Sequence, residues 1–457
     1  MNGMNRRNWL RAVGALGAMG GMGAFPVARS ENRPAAPVGE SSCFTSSVID
    51  PRKVQDTRFT ARFLDGRVIQ PQRELELLSR CQVLVVGGGP AGVSAAIAAR
   101  RAGADVTLVE RYGHFGGLWT GGLVLLVLGH IVSGGKQVCM GIGEEMMQRL
   151  EKLPGGIINR QTGRNPTVDA EALKYVMVEM IEEAGVEVFL HAWGVDAILE
   201  ENAVRGAVFE SKSGRQAILA DVVVDATGDG DIFAAAGAEF EHRSHNVGLV
   251  SRVGNVDRVD PSRSAESERP KRLGSPTPAP GVNWINLIGP EVDGLDVRTL
   301  TRMEMSHRKF IWRNIQRARQ TPGYESLYLV ETAPQLGVRI TRVLNGMATV
   351  RYADLRAGRR FDDVVAVGGS TNGQHGEWQV PYGALVPKGV DNVLAAGRCI
   401  SAEMQMADLV RLIPNCFATG HAAGVAAATA VQDRCPVRAV EVPKVQKILR
   451  EQGAYLG

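Results

Sequence analysis

Three glycines and one acid give this sequence its most distinctive chemical pattern. Directly after the apolar run at 83–86, the chain reads G-x-G-x-x-G, with its glycines at Gly87, Gly89 and Gly92. An Ala-rich segment follows, and a second apolar run then ends at Glu110. This spacing is typical of a strand, a helix and a second strand that together hold the two phosphates of a dinucleotide.

Each residue of this pattern has a separate task. Gly87 permits a tight turn, Gly89 lets the backbone approach a pyrophosphate, and Gly92 lets helix and strand pack closely. The helix N-terminus offers unpaired N–H groups and a positive dipole end to the phosphates. Glu110 can accept hydrogen bonds from both ribose hydroxyls of an adenosine, and its charge disfavours the 2′-phosphate of NADP. A Gly-rich turn alone would explain the glycines, but not the ordered strands, helix and terminal acid.

Two later segments are of the same kind. The first, VVVDATG at 222–228, is an apolar run that ends in small residues, and the second is VLAAGR at 393–398. Each brings the carboxyl end of a strand to the crevice where ligands lie in open α/β sheets. An ordinary strand-to-helix turn would explain either segment alone, whereas three such segments in one chain favour a ligand site.

Residues 1–28 have the layout of an export signal. Asn5 to Arg11 contains a twin arginine, and a mildly apolar stretch rich in Gly and Ala follows and ends at Ala28. A disordered basic terminus is the alternative. We expect export of the folded protein to the periplasm by the twin-arginine route, which suits an enzyme that acquires its cofactor in the cytoplasm.

The mature chain is expected to be nearly neutral. Cleavage after Ala28 removes three arginines and no acid, which lowers the net charge from +4 to about +1. This charge does not favour a nucleic acid or an anionic membrane surface as a partner. The longest apolar run beyond the signal, at 123–128, is far shorter than the ~20 residues of a membrane span.

The cysteines give no sign of a metal site. They stand at positions 43, 81, 139, 399, 416 and 435, without a C-x-x-C motif. This scatter argues against a zinc site, a self-contained iron–sulfur cluster and a dithiol redox motif, so we predict no metal.

The rest of the chain alternates between helical and extended patterns. Helices are predicted at 142–153, 166–183, 298–320 and 414–431, and strands at 186–191, 194–199, 203–210, 216–224 and 392–395. The first two of these strands are expected to pair, and together with the next two they indicate a β-meander. Residues 260–281 have the composition of a loop.

About 430 mature residues exceed what one hydrophobic core usually holds, so two intertwined domains are expected. The predicted order is a signal at 1–28, an arm at 29–79, cofactor-binding parts at 80–128, 165–240 and 385–435, a cap segment at 129–164, a substrate or cap domain at 241–384 and a tail at 436–457.

Four segments carry a resemblance to a known family. They begin VLVVGGGPAGVSAAIAARRAGADVTLVERYGHFGGLWTGG, VVVDATGDGDIFAAAGAE, HRKFIWRNIQRARQTPG and WQVPYGALVPKGVDNVLAAGRCIS, and they span 68–432. The chain resembles the glutathione-reductase-type flavoprotein fold and, more closely, the FAD-dependent oxidoreductases. The resemblance implies an α/β fold. Its parts would be a Rossmann-like FAD/NAD(P)-binding domain, with a parallel sheet and β-meander, and an inserted α+β substrate domain.

By position, the resemblance also implies which residues contact FAD. They are Gly87, Gly89, Pro90, Ala91 and Gly92 at the pyrophosphate, Glu110 and Arg111 at the adenosine ribose, Gly116 and Gly117 close to the cofactor, Val195 at the adenine, Thr227, Gly228 and Asp229 at the pyrophosphate edge, Gly397 and Arg398 at the ribityl chain, and Pro414, Asn415 and Cys416 at the start of the last helix.

Two features of this assignment have chemical consequences. Arg398 stands where many relatives have an aspartate that binds the ribityl chain, and an arginine favours phosphate instead. In this fold the N-terminus of the last helix points at the pyrimidine edge of the flavin. Its dipole and free N–H groups would stabilise negative charge on reduced flavin by roughly 0.3–2 kcal/mol.

Candidates for substrate chemistry follow from the same resemblance. His375 matches a histidine-containing stretch ahead of the family's I/V-P-Y segment, and an imidazole suits proton transfer near neutral pH. Arg339 and Arg342 are three residues apart and could together hold a carboxylate or enolate. Tyr382 and Glu377 are further candidates. A structural histidine, and arginines paired with core acids, are the alternatives.

These patterns together predict an FAD-dependent dehydrogenase or oxidase that acts on a small polar organic molecule by hydride transfer to flavin. The alternatives are a flavoprotein whose FAD is structural or undergoes no net redox change, and an exported component that only binds ligands or carries electrons. The chain has no second dinucleotide fingerprint and no iron–sulfur motif. Electrons would therefore leave to oxygen, a quinone or a redox protein.

Overall fold

The apolar runs become strands of a seven-stranded sheet in this computed structural model, which describes residues 60–160 and 165–457. Residues 60–74 belong to a first unit that contains a two-stranded antiparallel hairpin, and residues 75–457 form a second unit. The predicted signal at 1–28, most of the arm at 29–79 and Cys43 lie outside the described residues.

The strands are β1 Arg62–Leu64, β2 Arg67–Ile69, β3 Glu76–Val86, β4 Val106–Val109, β5 Ile157–Ile158, β6 Thr167–Val168, β7 Glu187–Phe189, β8 Trp193–Glu200, β9 Ala203–Ser211, β10 Gly214–Asp225, β11 Phe240–His242, β12 His245–Gly254, β13 Ser275–Pro276, β14 Asn283–Val292, β15 Tyr328–Thr332, β16 Arg342–Leu344, β17 Val364–Gly368, β18 Trp378–Pro381 and β19 Val393–Ala395. The α-helices are α1 Pro90–Arg101, α2 Ile142–Glu151, α3 Ala170–Ala184, α4 Asp231–Ala235, α5 Val297–Ala318, α6 Tyr352–Ala357, α7 Met404–Val410, α8 Ile413–Asp433 and α9 Val442–Glu451.

The large sheet has the order β7-β4-β3-β10-β9-β8, and β19 also pairs with β10. β7, β4, β3, β10 and β19 are parallel, whereas β8, β9 and β10 form an antiparallel meander. The carboxyl-terminal parts of the central strands, 83–86 of β3 and 222–224 of β10, are apolar and buried, as expected of a parallel sheet covered on both faces. The carboxyl ends of β3, β4, β10 and β19 therefore meet at one edge, where ligands bind in such sheets.

Two small-residue helices, α1 and α8, pack against each other beside this sheet. Nearly every residue of both helices is buried. The helices approach so closely that a Cβ at Gly420 would lie 2.1 Å from the backbone oxygen of Ala91, and a Cβ at Gly424 equally close to that of Ala95. This packing explains why the sequence of α8 is rich in Ala and Gly, and it fixes the start of α8 relative to the start of α1.

A second, four-stranded antiparallel sheet has the order β13-β14-β12-β15. Helix α5 packs on it and buries His307, Ile311 and Ile315 on the covered face. This α+β module is inserted between β10 and β19, as the predicted fold class requires.

One predicted strand pair is wrong. The segments 186–191 and 194–199 do not pair with each other, because β7 joins β4 in parallel register and β8 pairs with β9. The predicted helix at 166–183 begins instead at Ala170, because the Asp169 carboxylate accepts hydrogen bonds from the Glu171 and Ala172 N–H groups and caps it. The other predicted helices and strands agree with the structure to within a few residues at each end.

Within 60–160 and 165–457, no helix is both long and apolar enough to cross a membrane. The same residues contain no group of three or more His, Cys, Asp or Glu side chains that could hold a metal ion.

Candidate active site

A cavity of about 880 Å³ lies at the edge where the parallel strands end, and we call it the sheet-edge cavity. Most of the predicted cofactor residues line it. They are Gly87, Gly89, Pro90, Ala91, Glu110, Arg111, Gly117, Thr227, Gly228, Gly397, Arg398 and Cys416.

The glycines of the fingerprint differ in what surrounds them. Gly87 has φ +103°, and a Cβ there would lie 2.5 Å from the Ala226 oxygen. A Cβ at Gly92 would lie 1.7 Å from the Gly87 oxygen, so only hydrogen fits between helix and strand. A Cβ at Gly89 would meet no protein atom within 4 Å, although Gly89 lines the sheet-edge cavity. Gly89 therefore leaves open the space that a phosphate would fill.

The acid at the end of β4 is held in place by backbone groups. Glu110 is buried. Its Oε2 accepts a hydrogen bond from the Gly88 N–H at 2.6 Å, and its Oε1 accepts one from the Tyr112 N–H at 2.8 Å. Arg111 lies over the rings of Tyr112 and Trp193, 4.9 and 5.5 Å from their centroids. Glu110, Arg111, Tyr112 and Trp193 all line the cavity, so its two ribose-binding candidates stand beside an aromatic surface suited to a base.

Val195 does not line the sheet-edge cavity, unlike the three residues before it. A Cβ at Gly194 would point at the Val86 side chain, 2.7 Å away, so the next residue of β8 faces the opposite side and is exposed. Gly116 also lies outside the lining, and its N–H donates to the Gly88 oxygen at 2.8 Å. Gly116 thus supports the phosphate loop, whereas Gly117 faces the cavity.

Arg398, which stands where many relatives have an aspartate near the ribityl chain, forms an ion pair with Asp229. The Nη2 of Arg398 lies 2.9 Å from Asp229 Oδ1, and its Nη1 donates to the Val338 oxygen at 2.7 Å. Asp229 also accepts from Thr341 Oγ1 at 2.7 Å and does not line the cavity. Asp229 therefore holds Arg398 in the cavity wall.

Helix α8 brings its first turn to the same cavity. Ile413 and Cys416 line it, and Pro414 lies in the first turn, where its missing N–H costs no hydrogen bond. The Asn415 side chain is directed elsewhere and bonds the backbone of Gly369 and Leu409. Burial raises the pKa of the Cys416 thiol to about 12, so the thiol stays protonated.

These residues fit FAD. The open space at Gly89, the N-terminus of α1, the fixed acid at the end of β4 and the first turn of α8 all line one cavity. Pyrophosphate would lie at Gly89 to Ala91, the adenosine ribose at Glu110, and the flavin end towards Gly397 and Cys416.

A second cavity, of about 1420 Å³, adjoins the first, and we call it the arginine cavity. Leu118, Arg398, Arg411 and Ile413 line both cavities. Its other polar side chains are His245, Asn246, Asn286, Arg339, Thr371 and Asp408, and its apolar wall includes Val124, Leu126, Leu128, Val250, Trp284, Ile288 and Leu412.

Charged groups are concentrated on one side of the arginine cavity. Arg411 Nε donates to Asp408 Oδ1 at 2.8 Å, and His245 Nε2 lies 3.4 Å from the same oxygen. Arg339 Nη1 donates to the Asn246 oxygen at 2.5 Å. Burial and the neighbouring Arg411 cation lower the pKa of Arg339. The arrangement therefore places two cations, Arg411 and Arg339, and the His245 imidazole around the Asp408 carboxylate, next to the first turn of α8.

A model of the family described as FAD dependent oxidoreductase matches residues 82–271 and 256–449. This chain belongs to that family. It is an FAD-dependent enzyme of the oxidoreductase class, and the predicted fold class and cofactor are confirmed.

Known relatives of this oxidoreductase have several activities. Digeranylgeranylglycerophospholipid reductase 1 of Methanopyrus kandleri is 31% identical over 201 residues, which are 42% of this chain and 52% of that protein. Thiamine thiazole synthase of Sulfolobus acidocaldarius is 30% identical over 227 residues, 47% of this chain and 77% of that protein. The chain thus spans about half the length of the first relative, and 37% of a second reductase from Methanopyrus kandleri.

Solved structures that align with this chain have lower identity. A geranylgeranyl bacteriochlorophyll reductase-like protein from Thermoplasma acidophilum aligns with a TM-score of 0.47 at 16% identity, covering 82% of this chain and 84% of that one. A myxobacterial chondrochloren halogenase aligns with a TM-score of 0.46 at 14% identity, and the alignment covers 82% of this chain and 79% of that one.

Four of the five predicted substrate residues of this oxidoreductase do not line either cavity. Arg342 begins β16 and pairs with Asp231 at 2.8 Å, so it does not project with Arg339. The chain before it is not helical, which is why a spacing of three does not bring the two arginines together. Tyr382 is buried, and its hydroxyl donates to the Val437 oxygen at 2.6 Å.

His375 and Glu377 lie in other surroundings as well. The His375 backbone bonds Ser370 and Ser133, and its ring packs edge-on to Tyr352 with centroids 6.3 Å apart. Glu377 accepts hydrogen bonds from Lys136, Arg360 and Tyr455. Its carboxylate is therefore satisfied by an ion cluster that includes a C-terminal residue.

Sequence reasoning missed His245, Asn286, Asp408 and Arg411. His245 and Asn286 lie on neighbouring strands of the inserted sheet, and no local motif marks them. The sequence could have indicated Arg411, because this residue stands three positions before Pro414. Pro414 begins the predicted helix that was expected to face the flavin.

Proposed function

We propose that this oxidoreductase is a dehydrogenase or oxidase that oxidises a small polar organic molecule held in the arginine cavity. The observation that carries the proposal is the wall shared by the two cavities at Leu118, Arg398, Arg411 and Ile413. A substrate in the arginine cavity would face the flavin end of the sheet-edge cavity across this wall. The polar and charged side chains on one part of the arginine cavity lining support a substrate that has polar groups.

When bound, FAD supplies the acceptor for the hydride, and with it the two electrons, that leaves a substrate C–H bond. The accompanying O–H or N–H proton needs a base on the protein. Among the described residues that line the arginine cavity, His245 carries the only imidazole. Asp408, 3.4 Å from its Nε2, can orient the ring, so His245 is our candidate proton acceptor.

The first turn of α8 supports the same direction of reaction. Its free N–H groups and helix dipole favour negative charge at the shared wall by roughly 0.3–2 kcal/mol. The Arg398 and Arg411 side chains line the same wall and add positive charge. This environment would favour acceptance of electrons at the flavin end of the cavity.

We also propose that the protein is exported through the twin-arginine signal at 1–28 and acts in the periplasm. Electrons would then pass to oxygen, a quinone or a redox protein. Fractionation of the host cell, with N-terminal sequencing of the mature protein, tests this part. A cytoplasmic protein that keeps residues 1–28 would contradict it.

An anaerobic flavin-bleaching screen tests the proposed reaction. Purified holoenzyme is mixed without oxygen with alcohols, polyols, hydroxy acids and amines, and absorbance at ~450 nm is followed. We expect one class to bleach the flavin and to be oxidised in equal amount. Turnover of a compound with no net bleaching would favour a non-redox flavoprotein. Reoxidation of chemically reduced enzyme by an unsaturated compound would favour a reductase.

A further inference from the structure

We infer that the substrate of this oxidoreductase carries a carboxylate, which Arg339 binds inside the arginine cavity. The inference rests on the proposed function in placing the substrate in that cavity. It goes further by naming the substrate class and the residue that selects it.

Arg339 is the one cation of the cavity lining without a carboxylate partner. Asp229 pairs with Arg398 at 2.9 Å, and Asp408 pairs with Arg411 through Nε at 2.8 Å. No described carboxylate lies within 4.0 Å of the Arg339 guanidinium. Asp408 is also the only acid among the described lining residues. Asp408, which already pairs with Arg411, attracts Arg339 only from beyond ion-pair distance. The three arginines of the lining therefore outnumber the two acids that pair with them by one.

The guanidinium of Arg339 is also positioned rather than free. Its Nη1 donates to the Asn246 oxygen, and Nη2 would lie 3.2 Å from a Cβ at Gly248, so a side chain at Gly248 would crowd it. One hydrogen bond to a carbonyl leaves four of the five N–H donors of an arginine for other partners. A guanidinium fork of this kind matches the two oxygens of a carboxylate.

The position of Arg339 also suits oxidation next to an acid group. Arg339, Arg411 and His245 line the same cavity, and Arg411 reaches the wall shared with the sheet-edge cavity. A carboxylate held at Arg339 would direct the neighbouring carbon of a small acid towards that wall. A 2-hydroxy or 2-amino acid would then lose hydride from the carbon next to its carboxylate, and the O–H or N–H proton would leave to His245.

Matched acids and amides test this inference in the holoenzyme. The probes are benzoate and pivalate, which have no C–H bond on the carbon next to the carboxylate, and the neutral benzamide and pivalamide. Binding is measured by calorimetry and by the change in flavin absorbance. We expect the acids to bind at least about tenfold more tightly than the amides. Equal affinity of acid and amide, or no binding of either acid at millimolar concentration, would overturn the inference.

Variants assign the effect to Arg339. In Arg339→Gln we expect acid affinity to fall at least about tenfold with amide affinity unchanged, and Arg339→Lys should recover part of the loss. Arg263→Gln is the control, because Arg263 is an exposed arginine paired with Glu325. Flavin content and melting temperature show whether each variant is folded, and the lysine variant provides the comparison if the glutamine variant is not. Unchanged acid affinity in a folded Arg339 variant contradicts the inference.

Failure of this inference is distinguishable from failure of the proposed function. If acids bind through Arg339 but no compound bleaches the flavin, the proposed oxidation is contradicted and the proposed carboxylate site is supported. If a neutral alcohol bleaches the flavin equally in wild type and Arg339→Gln, the proposed oxidation is supported and the proposed carboxylate site is contradicted.

Discussion

The two cavities of this oxidoreductase are built in different ways. Many of the residues that line the sheet-edge cavity are Gly or Ala at strand ends and helix starts, and Gly89 leaves room for its ligand. The arginine cavity is formed by side chains such as His245, Asn286 and Arg411, which come from separate elements. The comparison teaches that a cofactor shared by a large family is held by local backbone geometry, whereas side chains brought together by the tertiary fold select the substrate.

The largest effect is expected when a methyl group is added to the backbone framework. In Gly92→Ala the new Cβ would overlap the Gly87 oxygen, at 1.7 Å, so helix α1 must move away from β3. Such overpacking should cost about 4 kcal/mol and leave the protein insoluble or without flavin. The measurement is soluble yield together with flavin absorbance at ~450 nm.

Gly89→Ala is the matched change three residues earlier in the sequence. Its Cβ meets no protein atom within 4 Å, so the melting temperature of the apoprotein should be unchanged. FAD affinity should fall about tenfold or more, because the methyl group enters the space for the phosphates. A stable Gly92→Ala variant, or full FAD affinity in Gly89→Ala, would contradict the assignment of roles to the two glycines.

The second prediction concerns the ion pair in the wall between the cavities. In Asp229→Asn the Arg398 cation stays buried without its partner, since both side chains are only 12% exposed. Loss of one member of a buried pair should lower the free energy of unfolding by about 3 kcal/mol. Thermal unfolding should show a fall of roughly 4 °C in melting temperature.

A second substitution separates charge from packing at this pair. Asp229→Asn with Arg398→Met removes both charges, so at least half of the lost stability should return. If the double variant is no more stable than Asp229→Asn alone, the unpaired charge is not the cause.

The sequence predicted the framework better than the substrate site, for a physical reason. The turn from β3 into α1 requires Gly87 and Gly92 locally, so a short pattern predicts its structure. Pairing of β7 depends instead on contact with β4, which is about 80 residues away in sequence, and the prediction of its partner was wrong.

Two histidines show the same contrast between a local motif and the tertiary fold. His375 lies near a recognisable VPY segment, but the fold packs its ring against Tyr352. His245 has no such motif around it, and it lines the arginine cavity only because β12 pairs with β14 and carries it there. A sequence shows which side chains are able to transfer protons or bind ligands. Which of them lie together in one cavity depends on strand pairing between residues that are distant in sequence.

The third prediction compares these histidines directly. His245→Gln should lower the rate of flavin reduction by the substrate about 100-fold, because the candidate proton acceptor is removed. His375→Gln should leave that rate within twofold, since its ring lines neither described cavity. Stopped-flow flavin reduction with a substrate from the bleaching screen measures both. The reverse order of effects would restore His375 as the base and contradict our assignment of His245.

The smallest expected effect is at Glu377, which the sequence suggested for catalysis and the structure places in an ion cluster. Burial alone would raise its pKa, but hydrogen bonds from Tyr455, Lys136 and Arg360 outweigh it and lower the pKa of Glu377 to about 2. A carboxylate with a depressed pKa stabilises the fold above its ordinary pKa, and that stability is lost as the pH falls from about 4.5 towards 2.

Glu377→Gln should therefore lower the free energy of unfolding at neutral pH by about 1 kcal/mol, after allowance for solvent screening of Lys136 and Arg360. The difference between wild type and variant should shrink as the pH is lowered from about 4.5 towards 2. Denaturant unfolding at a series of pH values measures this, and Glu74→Gln, at an acid outside the cluster, is the control. Slower flavin reduction in Glu377→Gln, with unchanged stability in acid, would contradict this prediction. Glu377 would then act together with the arginine cavity and would not be a framework residue.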